Sequence, residues 1–293
     1  MKQLRALLRK TLPDPAKRAF WSTVKQFRLY TGVWRLLPDF IIIGGQRCGT
    51  TTLYKYLIQH PYIMPASGKE LHFFDLNFEK GQTWYQTHFP TRAYKQLLMK
   101  TGRQPLITGE SSPYYLFHPH VPSRVATMRP SAKLIVLLRN PIDRAYSHYF
   151  HEVRWGFETA STFEQAISLE PERLAGEADR LLENEHYYSF SHHHHTYLER
   201  GIYVDQLEYW SRFFPKEQLL ILSSENFYTN TPTVFKQILQ FLELPIWEPP
   251  HYKNFNQANN PNIDPEIRTR LQTYFQPHND RLYDYLGRNF DWR

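Results

Sequence analysis

Residues 39–60 read DFIIIGGQRCGTTTLYKYLIQH, and this stretch decides the fold. Asp39 to Gly45 is a short apolar run bounded by Pro38 and two glycines, the pattern of a strand buried on both faces. Thr51 to His60 then changes to helical spacing. Between them lies Gly-Gly-Gln-Arg-Cys-Gly-Thr-Thr, residues 44–51, in which Gly44 and Gly49 carry the spacing of a phosphate-binding loop. Such a loop surrounds an anion with backbone N–H groups, and the following helix N-terminus adds positive potential. The nucleotide-hydrolase version continues Gly-Lys-Ser/Thr. Here Thr50 and Thr51 follow Gly49, and the cation is Arg47, inside the loop.

Three further apolar runs have the same character: PLITGE (105–110), KLIVLLR (133–139) and QLLILSSE (218–225). Helical patterns separate them at 145–155, 195–214 and 231–244. This alternation predicts an α/β fold of the P-loop NTPase-like kind, a mainly parallel central sheet flanked by helices. Ligands of open α/β sheets bind beyond the carboxyl ends of the strands. Gly44–Thr51, Glu110 and Arg139 all fall at such ends, so three polar clusters are expected to converge.

The second cluster is LIVLLRNPIDRAYS, 134–147. A metal-dependent phosphotransferase places an aspartate at the end of such a strand to hold Mg²⁺. Here the strand ends in Arg139, and Ser147 follows in the next helix, a pair suited to an anion rather than a metal. The third is KELHFFD, 69–75. If extended, it puts Glu70 and His72 on one face, and either is a candidate general base. The run His192 to His195 does not form a preformed metal site, because adjacent helical residues point in different directions. No metal is expected.

The chain has 293 residues with 41% hydrophobic and 22% charged content, long enough to bury a large core. Its one cysteine, Cys48, excludes an intrachain disulfide framework. The net charge of +7 is concentrated at the start: residues 1–40 hold nine basic residues and two acids. The remainder is balanced, so the basicity is no argument for nucleic-acid binding. Leu4, Leu7, Leu8 and Leu12 recur at helical spacing beside basic residues. Residues 1–37 therefore read as a basic amphipathic arm, either packed on the body or touching a membrane surface. Residues 158–195 read as an exposed insertion in a domain covering 38–293. No membrane-spanning run or secretory signal is evident.

Taken in order, GGQRCGTTTLYKYLIQHP, KELHFFD, GESSPYY and LLRNPIDRAYSHY resemble the sulfotransferase domain of the Golgi heparan sulfate N- and 3-O-sulfotransferases, and more closely its bacterial relatives. The resemblance spans roughly 38–293, including FFPKEQLLIL and HNDRLYDYLGRNFDW. It implies 3′-phosphoadenosine-5′-phosphosulfate (PAPS) as donor and transfer of its sulfuryl group to a hydroxyl or amine of a carbohydrate or glycolipid acceptor. On this reading Glu70 is the base, with His72 as its substitute. Gln46, Arg47, Cys48, Gly49, Thr50 and Thr51 hold the 5′-phosphosulfate, and Arg139 with Ser147 holds the 3′-phosphate. Arg47 stands where the family has its loop lysine. Ser111 stands where the 3-O-sulfotransferases have an acceptor-side lysine. The family's nucleotide-closing loop falls at YKNFNQANNPNID (252–264), where Lys253 is the candidate. A cytoplasmic enzyme, with peripheral membrane contact through residues 1–37, is the expectation. A P-loop small-molecule kinase and a silent glycan- or membrane-binding protein on the same fold are the alternatives. Nothing in the sequence bears on oligomeric state.

Overall fold

The computed structural model describes residues 13–253, 255 and 260–292. Five strands form one parallel sheet: β1 (Phe40–Gly44), β2 (Ile63–Pro65), β3 (Ile107–Ser111), β4 (Lys133–Leu138) and β5 (Leu219–Ser223), in the order β2-β3-β1-β4-β5. Four of the five were expected from their apolar runs. The three-residue edge strand β2 was not, because so short a stretch has no legible period.

Side chains alternate across the sheet. Ile41 and Ile43 join Leu134, Val136 and Leu138 in a core on one face. Phe40 and Ile42 join Ile135 and Leu137 in the core on the other. Every residue from Leu134 to Leu138 is fully buried. At about 1.5–3 kcal/mol for each large apolar side chain removed from water, this strand anchors the domain. A truncation such as Leu137→Ala is expected to cost about 2–5 kcal/mol.

The helix after β4, Pro141–Trp155, begins with the Asn140 side chain accepting from the Ile142 N–H at 3.0 Å, with Pro141 opening its first turn. It ends at Gly156, φ 74°. The expected single helix over 195–214 is broken. A 3-10 turn, Glu199–Gly201, precedes a helix at Tyr203–Ser211. The chain turns at Gly201, where an added Cβ would lie 2.8 Å from the Phe275 ring. Phe275 belongs to the 22-residue helix Pro265–Leu286, which the sequence analysis did not single out.

Two expectations are corrected. Residues 158–195 are not an exposed insertion; they form helices Phe163–Leu174, Glu177–Glu183 and Phe190–His194. Phe163, Ala166 and Ile167 are buried against Ala145, Tyr149 and Phe275. The segment is polar in composition, but its apolar residues recur at helical spacing and cover one face. The segment KELHFFD is not extended: Glu70 (φ 59°) and His72 (φ 47°) both adopt left-handed backbone.

In the N-terminal arm, the leucine-spaced helix around Leu4–Leu12 lies outside the described residues. The next piece is a helix, Asp14–Tyr30, with no buried residue. Among the described residues no helix is long and apolar enough to cross a membrane.

Candidate active site

The loop after β1 and the loop after β4 open into one cavity of about 630 Å³ at the carboxyl ends of the strands. Gly49 begins the helix Thr50–Leu57 with φ 97°, a conformation few side chains tolerate. A Cβ there would also stand 2.8 Å from Tyr228 Oη. Loop carbonyls are tied down by neighbours. The Cys48 N–H donates to Gly45 O (3.2 Å), Ser224 Oγ donates to Cys48 O (2.9 Å), and Arg139 donates to Arg47 O (3.4 Å).

Of the residues expected in the site, Gln46, Arg47, Gly49, Thr50, Thr51, Glu70, His72, Arg139 and Ser147 line this cavity. The Cys48 side chain does not: it is fully buried, with Sγ 3.9 Å from Tyr203 Oη. Burial pushes its thiol up to about 11, so it stays protonated near neutrality. Lys253 is not brought to the cavity either. Its carbonyl accepts from Tyr56 Oη at 3.0 Å, and from the same segment Asn260 lines the wall.

Arg47 Nε donates to Ser147 Oγ at 3.2 Å, and an Arg47 terminal nitrogen lies 3.3 Å from His151 Nδ1. The Arg47 guanidinium is held below its ordinary range by burial first, then by the cations Arg139 and Arg154. Two like charges pressed together in a desolvated cleft favour a polyanion between them.

On the opposite wall, His72 Nδ1 donates to Asp75 Oδ2 at 2.8 Å. Burial pushes the His72 imidazole down, but Asp75, Glu70 and Glu110 outweigh it and leave it raised. The Glu70 carboxylate pairs with Lys69. The left-handed turn carrying both residues is held from beneath. Glu70 N–H donates to Ser111 O (2.9 Å), His72 N–H to Ser112 Oγ (3.2 Å), and Phe73 N–H to Tyr115 Oη (2.8 Å). Ser112 and Tyr115 in turn donate to Glu110, which is fully buried and also accepts from Tyr85 Oη at 2.5 Å. Glu110 therefore sits behind the cavity rather than in it. Burial pushes its carboxyl up, against the pull of those three hydroxyls.

Other residues were missed. His151 and Trp155 continue the four-residue spacing of Asp143 and Ser147 along the helix, so they share its cavity face. That spacing was legible. Arg200 was not: it is fully buried, donates to Gln46 Oε1, and donates to the carbonyls of His192 (2.8 Å) and His193 (3.0 Å). The four histidines make hydrogen bonds and ring contacts within the protein. His192 meets Tyr114 Oη at 2.7 Å, His193 stacks on Tyr114 with centroids 4.4 Å apart, His194 donates to Glu152 at 2.8 Å, and His195 donates to Phe157 O at 3.0 Å. Among the described residues no group of three or more side chains is placed to hold a metal.

Residues 37–276 match the model of the sulfotransferase domain, and the chain belongs to that family. It is a transferase of sulfuryl groups, and the family's donor is PAPS. Among its relatives are the membrane-associated sulfotransferase kil1 of Dictyostelium discoideum (28% identical, covering 88% of this chain and 67% of the relative) and heparan sulfate glucosamine 3-O-sulfotransferase 5 of Homo sapiens (28%, covering 92% and 78%). A solved sulfotransferase from Alicyclobacillus acidocaldarius superposes with a TM-score of 0.62 at 29% identity, covering 88% of this chain and 99% of that one. These findings do not favour the kinase or the silent binding protein.

Proposed function

We propose that this cavity transfers the sulfuryl group of PAPS to a carbohydrate acceptor by in-line displacement. The observation that carries the reading is the convergence of Arg47, Arg139 and Ser147 with Glu70 and His72 on one cavity. The donor supplies an electrophilic sulfuryl group on a phosphate leaving group. Arg47 and the loop N–H groups offset negative charge growing on the 5′-phosphate, a preorganised electrostatic contribution. Arg139 and Ser147 hold the 3′-phosphate. Glu70 accepts the acceptor's proton, and the His72–Asp75 pair orients that acceptor. The carbohydrate assignment is supported by relatives that act on heparan sulfate. Incubation with labelled PAPS and a glycan panel, with mass detection of products, tests the reading. A sulfated glycan is expected. No product, together with no calorimetric binding of adenosine 3′,5′-bisphosphate, overturns it.

We further propose that the cytoplasmic enzyme expected from the sequence rests on a membrane through its arm. The helix Asp14–Tyr30 exposes Phe20, Phe27 and Tyr30 on one face, with Tyr30 80% exposed. A relative is described as membrane-associated. Co-flotation with vesicles containing phosphatidylglycerol, lost in Phe20→Ser/Phe27→Ser, is expected. No co-flotation of the full chain sinks the proposal.

A further inference from the structure

The cavity has a second wall that the donor does not use. Its parts are Tyr114, Trp155, Phe157, His193, His194 and Glu152, all lining the cavity beside Glu70 and His72. The rings are contiguous. Tyr114 and His193 stack; His193 and His194 lie 4.3 Å apart; His194 and Phe157 lie 4.4 Å apart. Across the gap, His72 and His193 have centroids 5.9 Å apart. Trp155 is 64% exposed and Phe157 40%, so the wall ends in two open aromatic faces at the mouth.

The charges on this wall are of one sign. Among the described residues lining the cavity, Arg47 and Arg139 are the cations, and both belong to the donor loops. Glu70, Asp143, Glu152 and Glu225 also line it, with Glu70 paired to Lys69, Asp143 to Arg268 and Glu152 to His194. Two of the imidazoles add no positive charge, whereas His72 across the gap is raised, against burial, by Asp75, Glu70 and Glu110. Burial, then His194 and Arg200, holds His193 down to about 2, and burial, then Arg47, holds His151 below its ordinary range. The stretch leading into the wall, residues 177–185, carries Glu177, Asp179, Glu183 and Glu185, of which Glu177 pairs with Arg180 and Glu185 with Arg124. A polyanionic chain laid here finds no lysine or arginine among the residues of this wall. A neutral sugar ring meets aromatic faces for its C–H surface. It also meets the His193 imidazole, held neutral by burial, which both donates to and accepts from hydroxyls.

We infer that Tyr114, Trp155, Phe157, His193 and His194 form the acceptor subsite, and that the residue it takes is an uncharged sugar rather than one within a polyanionic glycan. This rests on the donor reading above. The test uses the full chain with saturating PAPS and two acceptor sets: uncharged glycans and glycolipid headgroups, and glucuronate-containing oligosaccharides. Uncharged acceptors are expected to lead in kcat/KM by about tenfold or more. Their rates are expected to shift less than about twofold between roughly 50 and 200 mM salt. Trp155→Ala, which truncates an exposed side chain, is expected to raise acceptor KM about tenfold with kcat and adenosine 3′,5′-bisphosphate affinity unchanged. His194→Gln is a second probe with the same expected signature. Preference for the uronate set with a steep fall in salt overturns the inference. So does an unchanged acceptor KM in both variants, or sulfation of no glycan by a chain that still binds the nucleotide. Absence of nucleotide binding counts against the donor reading instead.

Discussion

Arg47 Nε and Ser147 Oγ, one hundred residues apart in sequence, are joined by a hydrogen bond of 3.2 Å. The phosphate loop and the second anion motif, which the sequence suggested would hold opposite ends of the nucleotide, are thus in contact. Removing one partner alters the other's geometry. Arg47→Ala and Ser147→Ala should therefore weaken adenosine 3′,5′-bisphosphate binding non-additively, with a coupling of about 0.5–3 kcal/mol. Calorimetry on the four-member cycle measures it. Additivity within about 0.3 kcal/mol would show that the two act independently.

Glu70→Gln keeps the shape of the side chain and removes its basicity. Turnover should drop by about 10²–10⁴-fold while nucleotide affinity stays unchanged. Wild-type turnover in the variant transfers the base role to His72, whose proton affinity is tuned by Asp75.

Glu110 is the hub beneath the turn that carries Glu70 and His72. Glu110→Ala strands the hydroxyls of Tyr85, Ser112 and Tyr115 in the core, and at about 1–3 kcal/mol for each buried unpaired group it should destabilise strongly. The milder Tyr115→Phe removes the acceptor for the Phe73 N–H. It should lower kcat without changing nucleotide affinity, read by turnover and calorimetry on the same preparation. Parallel losses in both would assign the network to general stability only.

His118 and His192 are buried, at 3% and 5% exposure. Burial first, then neighbouring cationic groups, holds them down to about 2 and about 3. Their folded values are depressed, so the unfolded chain takes up protons below about pH 6.5 and the folded chain does not. Each contributes stability that is present above that pH and lost as pH falls below it, by up to about 1.4 kcal/mol per pH unit. Glu170, raised to about 7 by burial, acts oppositely: its contribution is present at low pH and lost as pH rises from about 4.5 through 7. His88 and His193, also depressed by burial, act in the same sense as His118 and His192, so Tm should fall between pH 7 and 5. His192→Gln should make the slope shallower. A Tm that rises over this window refutes the assignment.

That the loops after β1 and β4 meet at one cavity was legible because their signals are local. A buried strand, glycines at fixed spacing, Arg47, and Arg139 with Ser147 eight positions on all lie within short motifs. Family resemblance proposed the role of Glu70, and the sequence left the backbone of its segment open. The left-handed turn at Glu70 and His72 is imposed by Ser111, Ser112 and Tyr115 from another element, and no local pattern announces it. Arg200 was invisible for the same reason, since its partners are carbonyls and a loop glutamine. The segment 158–195 was misjudged on composition. Its polar residues are real, but Phe163, Ala166 and Ile167 sit at the spacing that seals a helix face.

The helices of 158–195 also bear on how such enzymes diversify. On the readings proposed above, the loop after β1 grips the nucleotide, whereas His193 and His194 of the acceptor wall come on a different stretch of chain, whose carbonyls at His192 and His193 accept from Arg200. A relative could exchange that piece and keep its fuel supply. On the acceptor subsite proposed above, a chimera carrying another member's counterpart of 158–195 should inherit part of that member's acceptor preference.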